Sequence, residues 1–136
     1  MSFWKDKVVF LTGASSGIGE ALAIEIARRG AHLGLLARRG ELLESIAEKC
    51  EKHGAKTLIF GTDVTDEQAV QDAADRLRDE FGRIDILIAN AGIGGNNRET
   101  REFQPKFVKQ VIDINLMGAV NAVYAVLPQM LERGEG

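Results

Sequence analysis

The chain has 136 residues, 45% of them hydrophobic, and a formal net charge of -3. This length suits one domain with a substantial core, and the small negative charge gives no general attraction to nucleic acid or to a membrane surface. We expect no bilayer-spanning segment and no signal peptide. The single cysteine, Cys50, rules out an internal disulfide and suits a reducing compartment, so we expect a cytoplasmic protein with Cys50 buried in its core.

The first predicted elements are a strand from Lys7 to Thr12, a glycine-rich turn and a helix to about Arg29. The turn has the spacing G-x-x-x-G-x-G, which differs from the commonest dinucleotide fingerprint, G-x-G-x-x-G, and lacks the Lys-Ser/Thr of a P-loop. Both spacings can bind phosphate for the same physical reasons, because glycines let a ligand approach the backbone and a helix N-terminus attracts phosphate. We therefore predict a phosphate-binding turn, with a plain strand-to-helix turn as the alternative, formed by Gly13, Ser15, Ser16, Gly17, Ile18 and Gly19.

The middle of the chain continues to alternate strands with helices. Glycines or a capping box mark the helix ends, and the capping box places the start of the third helix at Thr65. The elements are predicted at residues 31–37 (strand), 41–53 (helix), 56–64 (strand), 65–81 (helix) and 84–89 (strand).

The last part of the chain is predicted to hold a long irregular segment, residues 90–104, and then a long apolar helix. Pro105 suits the first turn of this helix, which runs to about Leu131. Because Pro128 removes one internal hydrogen bond, we expect a kink or a break near residues 124–128.

This alternation predicts an α/β fold of Rossmann type, a doubly wound parallel sheet with right-handed crossovers. We expect the strand order 3-2-1-4 in one NAD(P)-binding domain that covers residues 1–136 and stops before a fifth strand. Ligands of such sheets bind beyond the carboxyl ends of the strands where strand order reverses, here between strands 1 and 4. The glycine turn and the segment after strand 4 both fall at that point.

The end of the second predicted strand carries Arg38 and Arg39, where folds that prefer NAD usually place an Asp or Glu. A guanidinium pairs with a ribose 2′-phosphate through charge-assisted, often bidentate hydrogen bonds. The sequence therefore favours NADP over NAD as the cofactor. An arginine pair that only solvates a loop is the alternative reading.

The string Thr12-Gly13-x-x-x-Gly17-Ile18-Gly19 resembles the cofactor motif of the short-chain dehydrogenase/reductase family, and Asn90-Ala91-Gly92 is similar to that family's Asn-Ala-Gly motif. The resemblance implies that Asp63 binds the adenine ring, that the backbone of Val64 lines the adenine pocket, and that the Asn-Ala-Gly motif lies near a ribose. It also implies that Asn115 helps to hold a proton-relay water. A turn-capping Asp63 and a helix-bending Asn115 are the alternative readings.

The chemistry of this family is hydride transfer between a nicotinamide and a carbonyl or alcohol carbon, with a Tyr, a Lys four residues later and a Ser as catalytic groups. None of the three matches here, because the only tyrosine, Tyr124, has Pro128 at the fourth position and no serine follows Ser45. The resemblance therefore implies the cofactor-binding part of an NADP-dependent oxidoreductase. We expect the chain alone to be inactive. A catalytically silent dinucleotide-binding or assembly module is the alternative.

The expected partners are a small carbonyl or alcohol substrate and further copies of the protein. The long apolar helix or the open edge of the fourth strand would form the contact between copies, because such surfaces usually find a partner. No nucleic acid, membrane or metal is expected, and we interpret His32 and His53 as structural.

Overall fold

The computed structural model describes residues 2–94 and 104–136, so residues 95–103 of the predicted irregular segment lie outside the described residues. Four parallel strands lie between two layers of helices. The strands are β1 (Val8–Thr12), β2 (His32–Ala37), β3 (Thr57–Gly61) and β4 (Ile86–Ala89). The helices are α1 (Gly17–Arg28), α2 (Gly40–Glu51), α3 (Glu67–Phe81), α4 (Pro105–Val111) and α5 (Gly118–Arg133), with a π-helical segment, Ile112–Met117, between the last two.

The strand order is β3-β2-β1-β4, as the sequence predicted, and every neighbouring pair is parallel. Strand β1 lies at the centre, and all five of its residues are buried. Val9 pairs with Leu33 of β2 on one side and with Ile86 of β4 on the other. The predicted α/β fold, a Rossmann-type doubly wound sheet, is therefore confirmed.

Two apolar clusters cover the two faces of the sheet. Because side chains alternate along a strand, Val9 and Leu11 face the layer of α1 and α2, whereas Phe10 faces the layer of α3 and α5. Cys50 belongs to the first cluster and is fully buried, as predicted. Burial raises the pKa of its thiol to about 11, so Cys50 packs as a neutral side chain.

The loop between β3 and α3 begins earlier than the sequence indicated. Strand β3 ends at Gly61, because its partner β2 ends at Ala37 and offers no backbone to pair with further on. Asp63 and Val64 therefore lie in the loop. Helix α3 is capped by Asp66, whose side chain accepts a hydrogen bond from the backbone N–H of Ala69, and not by the predicted Thr65.

The side chain that accepts from the first turn is that of Asp66, while the hydroxyl of Thr65 donates to Asp63 at 2.9 Å. Two other boundaries also differ from the prediction. Helix α2 ends at Glu51, which leaves His53 in the following turn, and β4 begins at Ile86. His32 has a structural role, as predicted, because its Nδ1 accepts a hydrogen bond from the backbone N–H of Lys56 at 3.1 Å.

Of the kink or break expected near residues 124–128, the break is not found. Helix α5 runs through this residue to Arg133, and the departure from α-helical geometry lies upstream, at Ile112–Met117. Pro128 lies on the exposed side of α5, close to Tyr124, whose exposed fraction is 62%. The hydrogen bond that Pro128 removes thus lies on the exposed side of the helix.

The helical run from Pro105 to Arg133 is long and apolar enough to cross a membrane, if only length and composition are considered. It has 29 residues, and one window of 18 has a mean hydropathy of 1.5. By that measure the expectation of no such segment is wrong. Core helices of folded domains pass the same test, and here Ala122, Ala125 and Val126 are buried in the cluster that covers one face of the sheet.

Candidate functional site

A cleft of about 360 Å³ opens at the carboxyl ends of the strands, between the glycine turn, the ends of β2 and β3, and the segment after β4. Most of the predicted site residues line it. They are Gly13, Ser15, Ser16, Gly17, Ile18, Arg38, Arg39, Asp63, Val64, Asn90, Ala91 and Gly92. Four further lining residues were missed by the sequence analysis: Ala37, Thr62, Ile93 and Ile114.

Gly19 does not line the cleft but packs beneath it. A Cβ atom at this position would lie 2.0 Å from the carbonyl oxygen of Gly13 and 2.8 Å from Nδ2 of Asn90. The sequence analysis treated this glycine as leaving room for a ligand, and the structure corrects that. Gly19 instead lets α1 press against the turn, which brings the N-terminus of the helix to the floor of the cleft.

Gly13 permits a second close approach, between the turn and the segment after β4. Its φ is +68°, and a Cβ atom would lie 2.7 Å from Cα of Ala91. Any other residue would be strained by this backbone angle and would also push the two segments apart. The two central walls of the cleft therefore touch backbone to backbone.

Among the described residues, the backbone N–H groups of Gly17 and Ile18, which line the cleft at the N-terminus of α1, have no hydrogen-bond partner. Ser16 occupies the N-cap position, but its side chain makes no capping hydrogen bond. The N–H groups of the first helical turn have no partner within a helix, and the helix dipole adds partial positive charge there. A phosphate group is the ligand that such a terminus suits.

Hydrogen bonds from side chains join the ends of β1 and β4. Oγ1 of Thr12 accepts from the backbone N–H groups of Asn90 and Ala91, both at 3.1 Å. In return, Nδ2 of Asn90 donates to the carbonyl oxygen of Gly13 at 3.2 Å. The Asn90 amide thus ties the neighbouring strand ends together. The hydrogen bonds that Thr12 accepts were not predicted, although a threonine at the end of an apolar strand indicates a polar partner for its hydroxyl.

The charged residues of the cleft lie at the ends of β2 and β3. Arg38 and Arg39 are exposed, and within the described residues neither takes part in an ion pair. Asp63 accepts from the backbone N–H and the hydroxyl of Thr65 through one oxygen, Oδ1. It therefore caps the turn, as in the alternative reading. It also lines the cleft, and neither of these two hydrogen bonds uses its Oδ2.

Asn115 binds the wall of the cleft and not its own helix. Its Oδ1 accepts from the backbone N–H of Ile93 at 2.8 Å, and its Nδ2 donates to the carbonyl of the same residue at 2.9 Å. This two-bond clamp starts from the π-helical segment, a type of irregularity that is frequent at functional sites. Gly92 makes room for it, since a Cβ atom there would lie 3.2 Å from Oδ1.

The residues present fit a dinucleotide cofactor. A helix N-terminus with free donors, glycines that admit close approach and two arginines at the end of β2 form one continuous cleft. In the part of the chain that the structure describes, no group of three His, Cys, Asp or Glu side chains is arranged to hold a metal ion.

Comparison with known proteins agrees with this geometry. The family model described as short chain dehydrogenase matches residues 7–136. The chain belongs to the short-chain dehydrogenase/reductase family. An uncharacterized oxidoreductase of Listeria innocua is 38% identical over 132 residues, which are 97% of this chain and 53% of that protein.

Solved structures of other short-chain dehydrogenases share the fold. The NAD+-bound xylitol dehydrogenase matches with a TM-score of 0.92 at 32% identity, over 98% of this chain and 52% of its own. L-sorbose reductase from Gluconobacter frateurii, solved with NADPH and L-sorbose, matches with a TM-score of 0.85 at 36% identity, over 96% and 49%. The chain thus spans about half the length of these relatives. Neighbours that bind NAD and neighbours that bind NADP both occur, so the family alone does not select between them.

Proposed function

We propose that this chain forms the cofactor site of an NADP(H)-dependent oxidoreductase that transfers hydride between the nicotinamide and a small carbonyl or alcohol substrate. The observation that carries the choice of NADP is the arginine pair, Arg38 and Arg39, which lines the cleft at the end of β2. A dinucleotide that follows the order of the strands brings its adenosine ribose to this point. Two exposed guanidinium groups favour a 2′-phosphate there.

The rest of the proposed site follows from the cofactor motifs of the family together with the order of the strands. The pyrophosphate would bind at the N-terminus of α1, the adenine would lie beside Asp63 and Val64, and the nicotinamide would lie on the β4 side. When bound, NADPH supplies the hydride. Asn115 would fix Ile93 beside the nicotinamide, and its amide retains one N–H and one lone pair with which to hold a relay water.

The choice of cofactor can be tested by calorimetric titration of the full-length protein with NADPH and with NADH. We expect NADPH to bind roughly 10- to 100-fold more tightly, which corresponds to one or two charge-assisted hydrogen bonds. The double substitution Arg38→Ala and Arg39→Ala should remove this preference and leave NADH affinity unchanged. Arg28→Ala, an exposed arginine at the other end of α1, is the matched control. Equal affinity for both cofactors in the wild type would overturn the assignment to NADP.

Catalysis by the 136 residues alone is not expected. Tyr124 is an exposed residue of α5 and is absent from the residues that line the cleft, so no tyrosine of this chain is placed to act as the acid/base. The chain's own residues would bind and orient the cofactor. A preparation limited to these residues should bind NADPH but should not oxidise it in the presence of a carbonyl panel. Carbonyl reduction by that preparation would contradict the prediction.

We further propose that the protein forms a homo-oligomer, since a row of large apolar side chains is exposed along the C-terminal helical run. Its members with the largest exposed fractions are Ile112, Leu116, Val120, Tyr124 and Leu131. An apolar groove of about 630 Å³ also follows the outer edge of β4, lined in part by Trp4, Ile86 and Leu127. Surfaces of this kind usually find a partner. Sedimentation at tens of micromolar should give a dimer or a larger assembly, and a clean monomer would contradict the proposal.

We also propose a cytoplasmic location, from the redox state of the one cysteine. Cys50 is the one cysteine of the sequence and is a buried thiol, which suits a reducing compartment. Fractionation of cells that express the full-length protein should recover it with cytosolic markers, and recovery with membranes would contradict this location.

A further inference from the structure

Asn121 of α5 holds a loop that lines the cleft. Its Nδ2 donates to the backbone carbonyl of Val64 at 2.8 Å, across 57 residues of sequence. Both residues are buried, with exposed fractions of 8% for Asn121 and 5% for Val64. A hydrogen bond in such surroundings has no water to replace it if it is lost, so it fixes the position of this carbonyl group.

The neighbouring turn of α5 is shaped to fit the same loop. Gly118 lies three residues before Asn121 and therefore on the same side of the helix. A Cβ atom at Gly118 would lie 2.6 Å from Cγ2 of Val64. The helix thus presents a glycine to the Val64 side chain and an amide to the Val64 carbonyl, so both parts of this residue are held.

The loop from Thr62 to Asp66 has few other anchors. Among the described residues, its backbone is joined to a distant element at one further point, where the N–H of Thr62 donates to the carbonyl of Ala37 at 2.9 Å, and the carbonyl of Asp66 accepts from Val70 at the adjoining start of α3. The bonds of Asp63 to Thr65 and of Asp66 to Ala69 are local. Without Asn121, the half of the loop that contains Asp63 and Val64 would be tied to the rest of the protein by packing alone.

We propose that Asn121 is a positioning residue of the cofactor site, which holds Val64 and its neighbour Asp63 in place against the adenine of NADP(H). This inference rests on the proposed cofactor site, because the adenine is assigned to Asp63 and Val64 from the resemblance to the family. Asn121 touches the loop and is not among the residues that line the cleft. Its effect is therefore expected on the affinity for the adenosine half of the cofactor and not for the nicotinamide half.

The test compares Asn121→Leu with wild type in the full-length protein, titrated with NADPH and with adenosine 2′,5′-bisphosphate. We expect both ligands to bind about 10-fold more weakly to the variant. Gln129→Leu is the matched control. Gln129 is also a residue of α5 that binds the backbone of another segment, since its Oε1 accepts from the N–H of Ile84 at 3.3 Å, but this contact lies at the opposite end of the sheet. The control should lose stability without losing affinity.

A second ligand separates positioning from a general loss of structure. The analogue of NADPH with hypoxanthine in place of adenine lacks the 6-amino group that Asp63 would accept from. Wild type should prefer NADPH over this analogue, and Asn121→Leu should reduce the preference. A variant with normal affinity and a normal preference would overturn the inference, as would an equal loss of affinity in Gln129→Leu.

The outcome for the wild type keeps the two proposals apart. If wild-type protein binds neither NADPH nor the bisphosphate, the proposed cofactor site itself is wrong. If wild type binds both and only the effect of Asn121 is missing, the inference fails while the site stands. Should Asn121→Leu give no folded protein, the same titrations on Asn121→Ser, which also removes the amide, decide the question with the same expected pattern.

Discussion

The two ends of the parallel sheet are held by the same long helical run, but through different groups. At the carboxyl end, where the cleft lies, neutral amides bind the backbone, namely Asn115 to Ile93 and Asn121 to Val64. At the amino end, charged side chains are prominent. Arg133 donates to the carbonyl of Ile84 at 2.7 Å, the amide of Gln129 accepts from the N–H of the same residue at 3.3 Å, and Arg83, Asp85 and Glu135 form an ion-pair network.

The difference follows from what each end must accommodate. A site for a dinucleotide has to admit phosphates, and fixed carboxylates near it would repel them. The described lining of the cleft includes one carboxylate, Asp63, and two arginines. At the amino end, acids and bases are paired with each other. Substitutions at the cleft end should therefore change affinity, whereas those at the far end should change stability alone.

The largest expected effect is at the cleft end, from Gly19→Ala. The added methyl group would lie 2.0 Å from the carbonyl oxygen of Gly13, and backbone atoms cannot move aside as a flexible side chain can. We expect a loss of about 3 kcal/mol in the free energy of unfolding, or no folded protein, together with loss of NADPH binding. Urea unfolding and calorimetry measure both quantities.

Gly94→Ala is the control for this substitution, because a Cβ atom at Gly94 would meet no atom of the described residues within 4 Å and its φ is not positive. Its free energy of unfolding should stay within about 0.5 kcal/mol of wild type. A folded Gly19→Ala protein with wild-type affinity would break the link between this close packing and the cofactor site.

The second effect belongs to the far end, from Asp85→Ala. This carboxylate has an exposed fraction of 6%, accepts from the backbone N–H of Val8 at 2.8 Å and pairs with Arg83 at 2.6 Å. Its removal leaves the buried N–H group of Val8 without a partner and takes from Arg83 one of its two carboxylates, so we expect a loss of about 2 kcal/mol. The affinity for NADPH should stay within about twofold of wild type.

Asp79→Ala offers a matched comparison with Asp85→Ala. Asp79 is an exposed carboxylate of α3 that pairs with Arg78 at 3.3 Å, and its loss should cost less than about 0.5 kcal/mol. If Asp85→Ala weakened NADPH binding as much as it weakened folding, the two ends of the sheet would be coupled, and the division between them would be wrong.

The fold was predictable because its signals are local in sequence. Apolar runs mark the strands, and the spacing of Gly13, Gly17 and Gly19 marks the turn into α1. The cleft was predictable for the same reason, since the carboxyl ends of parallel strands meet at one edge of a sheet. Arg38 and Asn90 could be assigned to that edge from their position at strand ends alone.

The errors arose where a residue had a choice of partners. Thr65 matches a capping box, but Asp63 engages its hydroxyl and Asp66 becomes the cap. The π-helical segment of the last helical run lies at Asn115, which binds Ile93 across 22 residues of sequence. Sequence rules instead pointed to the proline as the place of the irregularity. Asn121 was overlooked for a related reason. A lone amide in an apolar helix signals a polar partner, but nothing in the sequence says that the partner is Val64.

The smallest expected effect is a pH dependence of stability that originates at the far end of α1. Hydrogen bonds from Arg28 and then from Arg29 lower the pKa of Glu25 from its usual 4.5 to about 2. Between these two values the unfolded chain binds a proton that the folded chain does not. The contribution of Glu25 is therefore complete above about pH 4.5 and is lost as the pH falls through 2.

Urea unfolding at pH 5, 4 and 3 measures this dependence. In wild type the free energy of unfolding should decrease over this range, and Glu25→Gln should make the decrease shallower. Glu44→Gln, at a carboxylate of α2 outside the ion pairs of the described residues, should leave the slope unchanged. The change in slope should be small, because Glu25 and its arginines are exposed and water screens their interaction. A slope that Glu25→Gln does not alter would mean that acid acts elsewhere, and Glu135, whose pKa is also lowered by Arg83, is the next group to substitute.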